Sequence, residues 1–71
     1  MTKDYAMISG YFISLTNRIT MMHELFISFN MHGASSEDLT RYRKSLAEAK
    51  RELQELSHNM TIKLREWDIN E

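Results

Sequence analysis

Three histidines are the residues of this chain that by type could hold a metal ion or move a proton. His23 is followed by Glu24, as at the start of the His-Glu-x-x-His zinc motif, but Ile27 stands where the second histidine is needed. His32 and His58 share no ligand spacing with His23. We therefore expect these histidines to face solvent, and we expect no metal site and no cofactor.

Acids and bases concentrate in the second half of the chain, where they alternate. Glu37 and Arg41 lie four residues apart, as do Lys44 and Glu48, a spacing at which opposite charges support a helix. Such a run is typical of a solvated helix face. The sequence contains neither a glycine-rich phosphate loop nor a dinucleotide fingerprint. It therefore predicts a protein that is not an enzyme and that has no small-molecule substrate.

The bulk composition excludes further classes of function. A formal net charge of -1 gives no attraction to nucleic acid, and the absence of cysteine excludes disulfides and thiolate metal sites. The apolar stretch from Tyr5 to Leu15 is interrupted by Ser9, Gly10 and Ser14, and it is too short to cross a bilayer. It is followed by no signal-peptide cleavage pattern. We expect a cytoplasmic protein without a membrane span.

Two heptad stripes predict the elements that position these residues. Apolar side chains recur at alternating spacings of three and four in both halves, and only Lys63 breaks the rule. The first stripe comprises Tyr5, Ile8, Phe12, Leu15, Ile19, Met22, Phe26 and Phe29. The second comprises Leu39, Tyr42, Leu46, Ala49, Leu53, Leu56, Met60, Lys63 and Trp67. We predict one domain over 1–71, with helix 1 at about 4–31 and helix 2 at about 36–67.

The stretch between the stripes has the residues of a helix-to-helix turn. In the predicted turn, 32–35, Gly33 would end helix 1 in the left-handed conformation, and Ser35 or Ser36 would cap helix 2. A connection this short makes the helices antiparallel neighbours. The predicted fold is all-α, a coiled-coil-like antiparallel two-helix hairpin that pairs into a four-helix bundle.

The stripes also predict which residues meet across the hairpin. The expected neighbours are Phe26 and Phe29 with Leu39 and Tyr42, Ile19 and Met22 with Leu46 and Ala49, and Tyr5 with Trp67. In this register Arg18 and Glu52 flank the seam on the same side, where an ion pair would contribute ~0–1 kcal/mol.

Helix 1 carries apolar side chains outside its stripe and few charges. Between Asp4 and Gly33 the charged residues are Arg18 and Glu24. A helix that is apolar on more than one face is normally covered on more than one face. The predicted protein-binding residues are Met7, Ile13, Met21, Leu25, Ile27 and Met31. Their cover would be a second copy, in a homodimer, or a helix of another protein.

Two families of small helical hairpins have a similar layout. From Ile19 to Leu53 the chain resembles the Spo0E-like aspartyl-phosphate phosphatases of spore formers, with a helix, a glycine turn, a capping serine and a second helix. Their Ser-Gln-Glu-Leu-Asp motif corresponds here to residues 43–47, of which Leu46 alone agrees. In size and hairpin form the chain is also similar to the co-chaperones of type III secretion needle subunits, which shield an apolar helix of their partner.

These observations together predict a small non-enzymatic protein–protein interaction module. It would act as a regulator, inhibitor, adaptor or chaperone, and would use the apolar faces of helix 1 to dimerise or to bind a partner helix. One alternative is a needle-type co-chaperone or a structural assembly subunit. The other is the aspartyl-phosphate phosphatase, whose required acid is missing from the motif.

Overall fold

Two long antiparallel helices and a short turn form the whole of the described chain. The computed structural model describes residues 3–70, with side chains for 5–69. Helix α1 spans Lys3–His32, helix α2 spans Ser36–Asn70, and residues 33–35 connect them. The predicted all-α hairpin is therefore confirmed. Helix α2 continues three residues past its predicted end, because no residue after Trp67 breaks a helix.

The turn is built from a helix-ending glycine and a reciprocal cap. Gly33 has a φ of +79°, and its amide donates to the carbonyl of Phe29 at 2.8 Å, which closes α1 with a left-handed residue. The Ser35 hydroxyl accepts from the Asp38 amide, and the Asp38 carboxylate accepts from the Ser35 amide, both at 3.1 Å. This is a capping box, and it makes Ser35 rather than Ser36 the N-cap of α2.

The core is one narrow line of side chains between the helices. Leu15 and Met22 of α1 and Ala49 and Leu56 of α2 are only 6–9% exposed. In each helix the two buried residues are seven apart, so only one row of each heptad stripe faces the other helix. Such a core is thin, and it sits in a molecule of 53 × 18 × 17 Å.

Contacts on either side of this line fix the register of the hairpin. The rings of Phe29 and Tyr42 pack edge to face with centroids 5.7 Å apart near the turn. The Arg18 guanidinium lies 2.9 Å from the Glu52 carboxylate, halfway along the hairpin. Both contacts were expected from the alignment of the two stripes. Residues of α1 and α2 therefore stand at the same height when their numbers add to about 70.

Candidate protein-binding surface

The second row of each heptad stripe remains at the surface and lines a long apolar groove between the helices. Four of its residues come from α1: Tyr5, Phe12, Ile19 and Phe26. Four come from α2: Leu39, Leu46, Leu53 and Trp67, with the partly buried Met60 between the last two. The eight side chains are 39–59% exposed. These nine residues are called the apolar groove below.

The groove has an open depression at the middle of the hairpin. This depression has a volume of about 430 Å³ above the buried core, with Ile19 and Leu53 among its lining residues. His23 and Lys50 are the polar side chains that reach this depression. A second depression of about 240 Å³, next to Tyr5 and Trp67, continues the groove to the open end. We expected Tyr5 and Trp67 to approach each other at the open end. Both residues line this depression, which agrees with that expectation.

The opposite side of the hairpin carries hydrogen-bonded charged groups. Arg18 donates from Nε and Nη2 to Oε1 of Glu52 at 3.1 and 2.9 Å, and the Ser14 hydroxyl donates to Oε2 of Glu52 at 3.2 Å. Nearby, the hydrogen bond and the positive charge of Arg51 hold the pKa of Glu48 below its usual value. Polar and charged groups therefore make up a larger share of this side than of the apolar groove.

The six residues predicted to bind protein all lie at the surface, with 37–69% of each side chain exposed. The helical spacing divides them into two strips rather than one patch. Met7, Met21 and Leu25 form a strip on the Arg18 side of α1. Ile13, Ile27 and Met31 form the other, on the side of α1 that faces away from α2, called the outer strip below. Their role in binding stays a prediction.

Sequence reasoning missed the apolar groove because it assigned both heptad rows to the seam. In a supercoiled pair both rows are buried, and an unbroken 3,4 spacing is the signal for such a pair. In this hairpin the four buried core residues all come from the other row, and Met60 of the groove packs against them. The signal that could have identified the groove was the size of its members, since four of the nine are aromatic and the helix-helix contact line is narrow.

The side chains considered for catalysis or metal binding are dispersed. His23, His32 and His58 are all exposed. Among the described residues there is no group of three or more histidine, cysteine or acidic side chains that could hold a metal ion. Ala47 occupies the position of the final acid of the phosphatase motif. Within residues 3–70, neither helix contains a segment long and apolar enough to span a bilayer.

In comparisons with protein-family models, with curated proteins and with solved structures, the chain matches none.

Proposed function

We propose that this chain is a small non-enzymatic protein–protein interaction module, a regulator, inhibitor, adaptor or chaperone that binds helices through its apolar surfaces. The observation that carries the proposal is the surface area. The hairpin exposes 5930 Å² for a mass of 8.4 kDa. A compact monomer of this mass exposes about 4600 Å². Among the described residues, seventeen large apolar side chains are exposed, and they gain free energy when another chain covers them.

The shape of these surfaces favours a helix as the ligand. The apolar groove and the outer strip of α1 both follow the helix axis, and the hairpin is 53 Å long. An amphipathic helix places side chains at matching intervals of three, four and seven residues, and it can lie along such a surface. Because the backbone groups of α1 and α2 are bonded within the helices, recognition must come from side chains.

A structural assembly subunit or needle-type co-chaperone is the second candidate. It is favoured by the exposure of apolar side chains on two sides of α1, in the groove at Ile19 and on the outer strip at Ile27. A subunit that stacks into larger bundles needs more than one covered side. A co-chaperone needs one apolar surface for the helix that it shields.

Photo-crosslinking in the native cell tests the proposed function. A photoreactive phenylalanine analogue is placed at Ile13 or Ile27 on the outer strip, and at Gln54, an exposed polar position of α2, as the matched control. We expect discrete protein adducts from the outer strip and none from Gln54. The introduction of Met31→Asp should remove these adducts by placing a charge in the strip.

Two results would contradict the binding of a further protein by the outer strip. One is the absence of adducts at both isoleucines, and the other is the same adduct pattern at all three positions, which indicates random collision. Mass spectrometry of a discrete adduct identifies the bound protein, and it separates a self-assembling subunit from a module with a different partner.

A further inference from the structure

We infer that a second copy of this chain covers the apolar groove, packed face to face with the two turns at opposite ends. The product is an antiparallel four-helix bundle with two-fold symmetry. This inference rests on the proposed interaction function, and it names the occupant of one of the apolar surfaces. The outer strip of α1 stays exposed in the bundle and remains available for a different protein.

The area of the groove matches what a stable dimer needs. Eight of its side chains are about half exposed, with values of 39–59%. A large apolar side chain has roughly 150–250 Å² of surface, so together they offer on the order of 800 Å². A standard protein–protein interface buries about 800 Å² on each partner. The groove alone therefore supplies a full interface.

The groove is self-complementary about its middle. Arg18 contacts Glu52, and one step further along each antiparallel helix Ile19 and Leu53 stand within about 3 Å of the same height. A two-fold axis that crosses the hairpin at this height brings Ile19 against Ile19 of the second copy, and Leu53 against Leu53. Each row extends from its central residue in steps of seven, so every groove residue except Tyr5 meets a member of the same row, and Tyr5 lies opposite the turn of the second copy.

The sizes of the outer residues favour turns at opposite ends. In that arrangement Phe12 meets Phe26 of the second copy, and Trp67 meets Leu39. With both turns at the same end, Tyr5 and Trp67 of the two copies would crowd into one layer. The layer near the turn would then contain little more than the two leucines. Even packing requires large residues to face smaller ones, which only the opposite arrangement provides.

The charges at the rim agree with this orientation. On α2 the side chains of Arg43, Lys50 and Asp68 project from the same edge of the groove by helical spacing. When the copies are antiparallel, Arg43 of one copy lies about 7.5 Å along the axis from Asp68 of the other, since five residues separate their heights. The two side chains can span this distance. The rim then brings opposite charges near each other at each end of the dimer, while the two copies of Lys50 lie about 9 Å apart along the axis near its centre.

A matched pair of isoleucine variants tests the second copy. Ile19→Glu places a charge in the centre of the groove, and Ile27→Glu places the same charge on the outer strip of the same helix. Multi-angle light scattering and sedimentation over a dilution series should give a dimer for the wild type. Ile19→Glu enters the interface twice and should raise the dissociation constant at least about a hundredfold. Ile27→Glu should leave it within a few-fold of the wild type.

A wild type that is monomeric at all concentrations would overturn the inference, and so would a dimer that Ile27→Glu disrupts as strongly as Ile19→Glu. Circular dichroism at high concentration shows whether Ile19→Glu remains helical. If Ile19→Glu does not fold, the groove is tested instead with cysteine variants, which keep its surface apolar.

Cysteine pairing tests both the contact and the orientation, because the chain has no cysteine of its own. Oxidation of Ile19→Cys, and separately of Leu53→Cys, should give covalent dimers, whereas Ile27→Cys should form no disulfide between the two copies. A mixture of Ile19→Cys and Leu53→Cys should give the two homodimers. A dominant 19–53 heterodimer would overturn the opposite orientation, because turns at the same end place Ile19 against Leu53. The absence of any disulfide at 19 and 53 would overturn the groove as the contact.

Failure of this inference is distinguishable from failure of the proposed function. A monomer that still forms discrete photo-adducts from the outer strip overturns the second copy and leaves an interaction module with a different partner. A dimer without such adducts supports the second copy and overturns the binding of a further protein by the outer strip.

Discussion

Removal of the Arg18 guanidinium is a direct test of what holds the two helices in register. Arg18 provides two hydrogen bonds to one oxygen of Glu52, and Ser14 bonds the other oxygen. The side chains of Arg18 and Glu52 are only 27% and 14% exposed. This is well below the exposure of an ordinary surface pair, so the interaction should exceed the ~0–1 kcal/mol expected for such pairs. The stabilisation by this ion pair should remain below the stabilisation by a fully buried pair, since water still reaches both groups.

We expect Arg18→Met to lower the free energy of unfolding by about 2 kcal/mol, because hydrogen bonds to charged groups contribute roughly 1.5–3 kcal/mol. The variant leaves a poorly exposed carboxylate with Ser14 as its remaining partner. Glu52→Met should cost less, about 1 kcal/mol, because the long Arg18 side chain can turn toward water. The double variant should cost clearly less than the sum of the two, with a coupling energy of about 1.5 kcal/mol.

Urea and thermal unfolding followed by circular dichroism measure these differences. A loss of 2 kcal/mol should lower the melting temperature of a domain of this size by roughly 8–16 °C. All variants must be compared at one protein concentration, since association stabilises the folded chain by mass action. Additive costs in the double variant would refute the reasoning, because they would mean that Arg18 and Glu52 do not interact in solution.

The remaining predictions concern the turn and the polar side of α1. Gly33→Ala should cost about 1–2 kcal/mol, because an alanine at a φ of +79° is strained; an unchanged unfolding midpoint would contradict this. Ser35→Ala should cost about 1 kcal/mol through loss of the N-cap. The backbone and side-chain hydrogen bonds of Ser35 lower the pKa of Asp38, so the folded state favours the ionised carboxylate. This contribution is present above about pH 4 and is lost as the pH falls further; it should be weaker in Ser35→Ala, as acid titration of stability can show. Gly10→Ala should add about 0.5–1 kcal/mol, because the new methyl group meets nothing within 4 Å; destabilisation, or a changed mass in solution, would reveal a partner packed closely on that side.

The helices and the turn could be predicted because their signals are local. The alternation of apolar residues specifies a helix, and Gly33 with Ser35 specifies where one helix ends and the next begins. The register was also predictable, since a short turn leaves little freedom to slide one stripe past the other. The Arg18–Glu52 contact and the pairing of Phe29 with Tyr42 both follow from it.

The surface was harder to predict because burial depends on how many helices share a core. The same heptad stripe can bury both of its rows or one, and the sequence of one chain does not state which. In this hairpin Leu15 is buried while Phe12 and Ile19, on the same stripe, are about half exposed. The sequence predicted exposed apolar side chains on α1 only, and these are only part of the exposed apolar surface. Helix α2 also exposes large apolar side chains, Leu46 and Leu53 among them.

The three-residue turn has a consequence for how the chain folds. The contacts that set the register join positions whose numbers add to about 70, so contacts further from the turn join residues that are further apart in the sequence. The contact between Phe29 and Tyr42 closes a short loop at low entropic cost. Each contact further from the turn then extends a loop that is already closed. The contacts between the helices should therefore form in order from the turn to the open end, and the hairpin should fold rapidly. It should open first at the far end, where Tyr5 and Trp67 are the last to meet, so thermal fraying in the free chain begins at the aromatic end of the apolar groove.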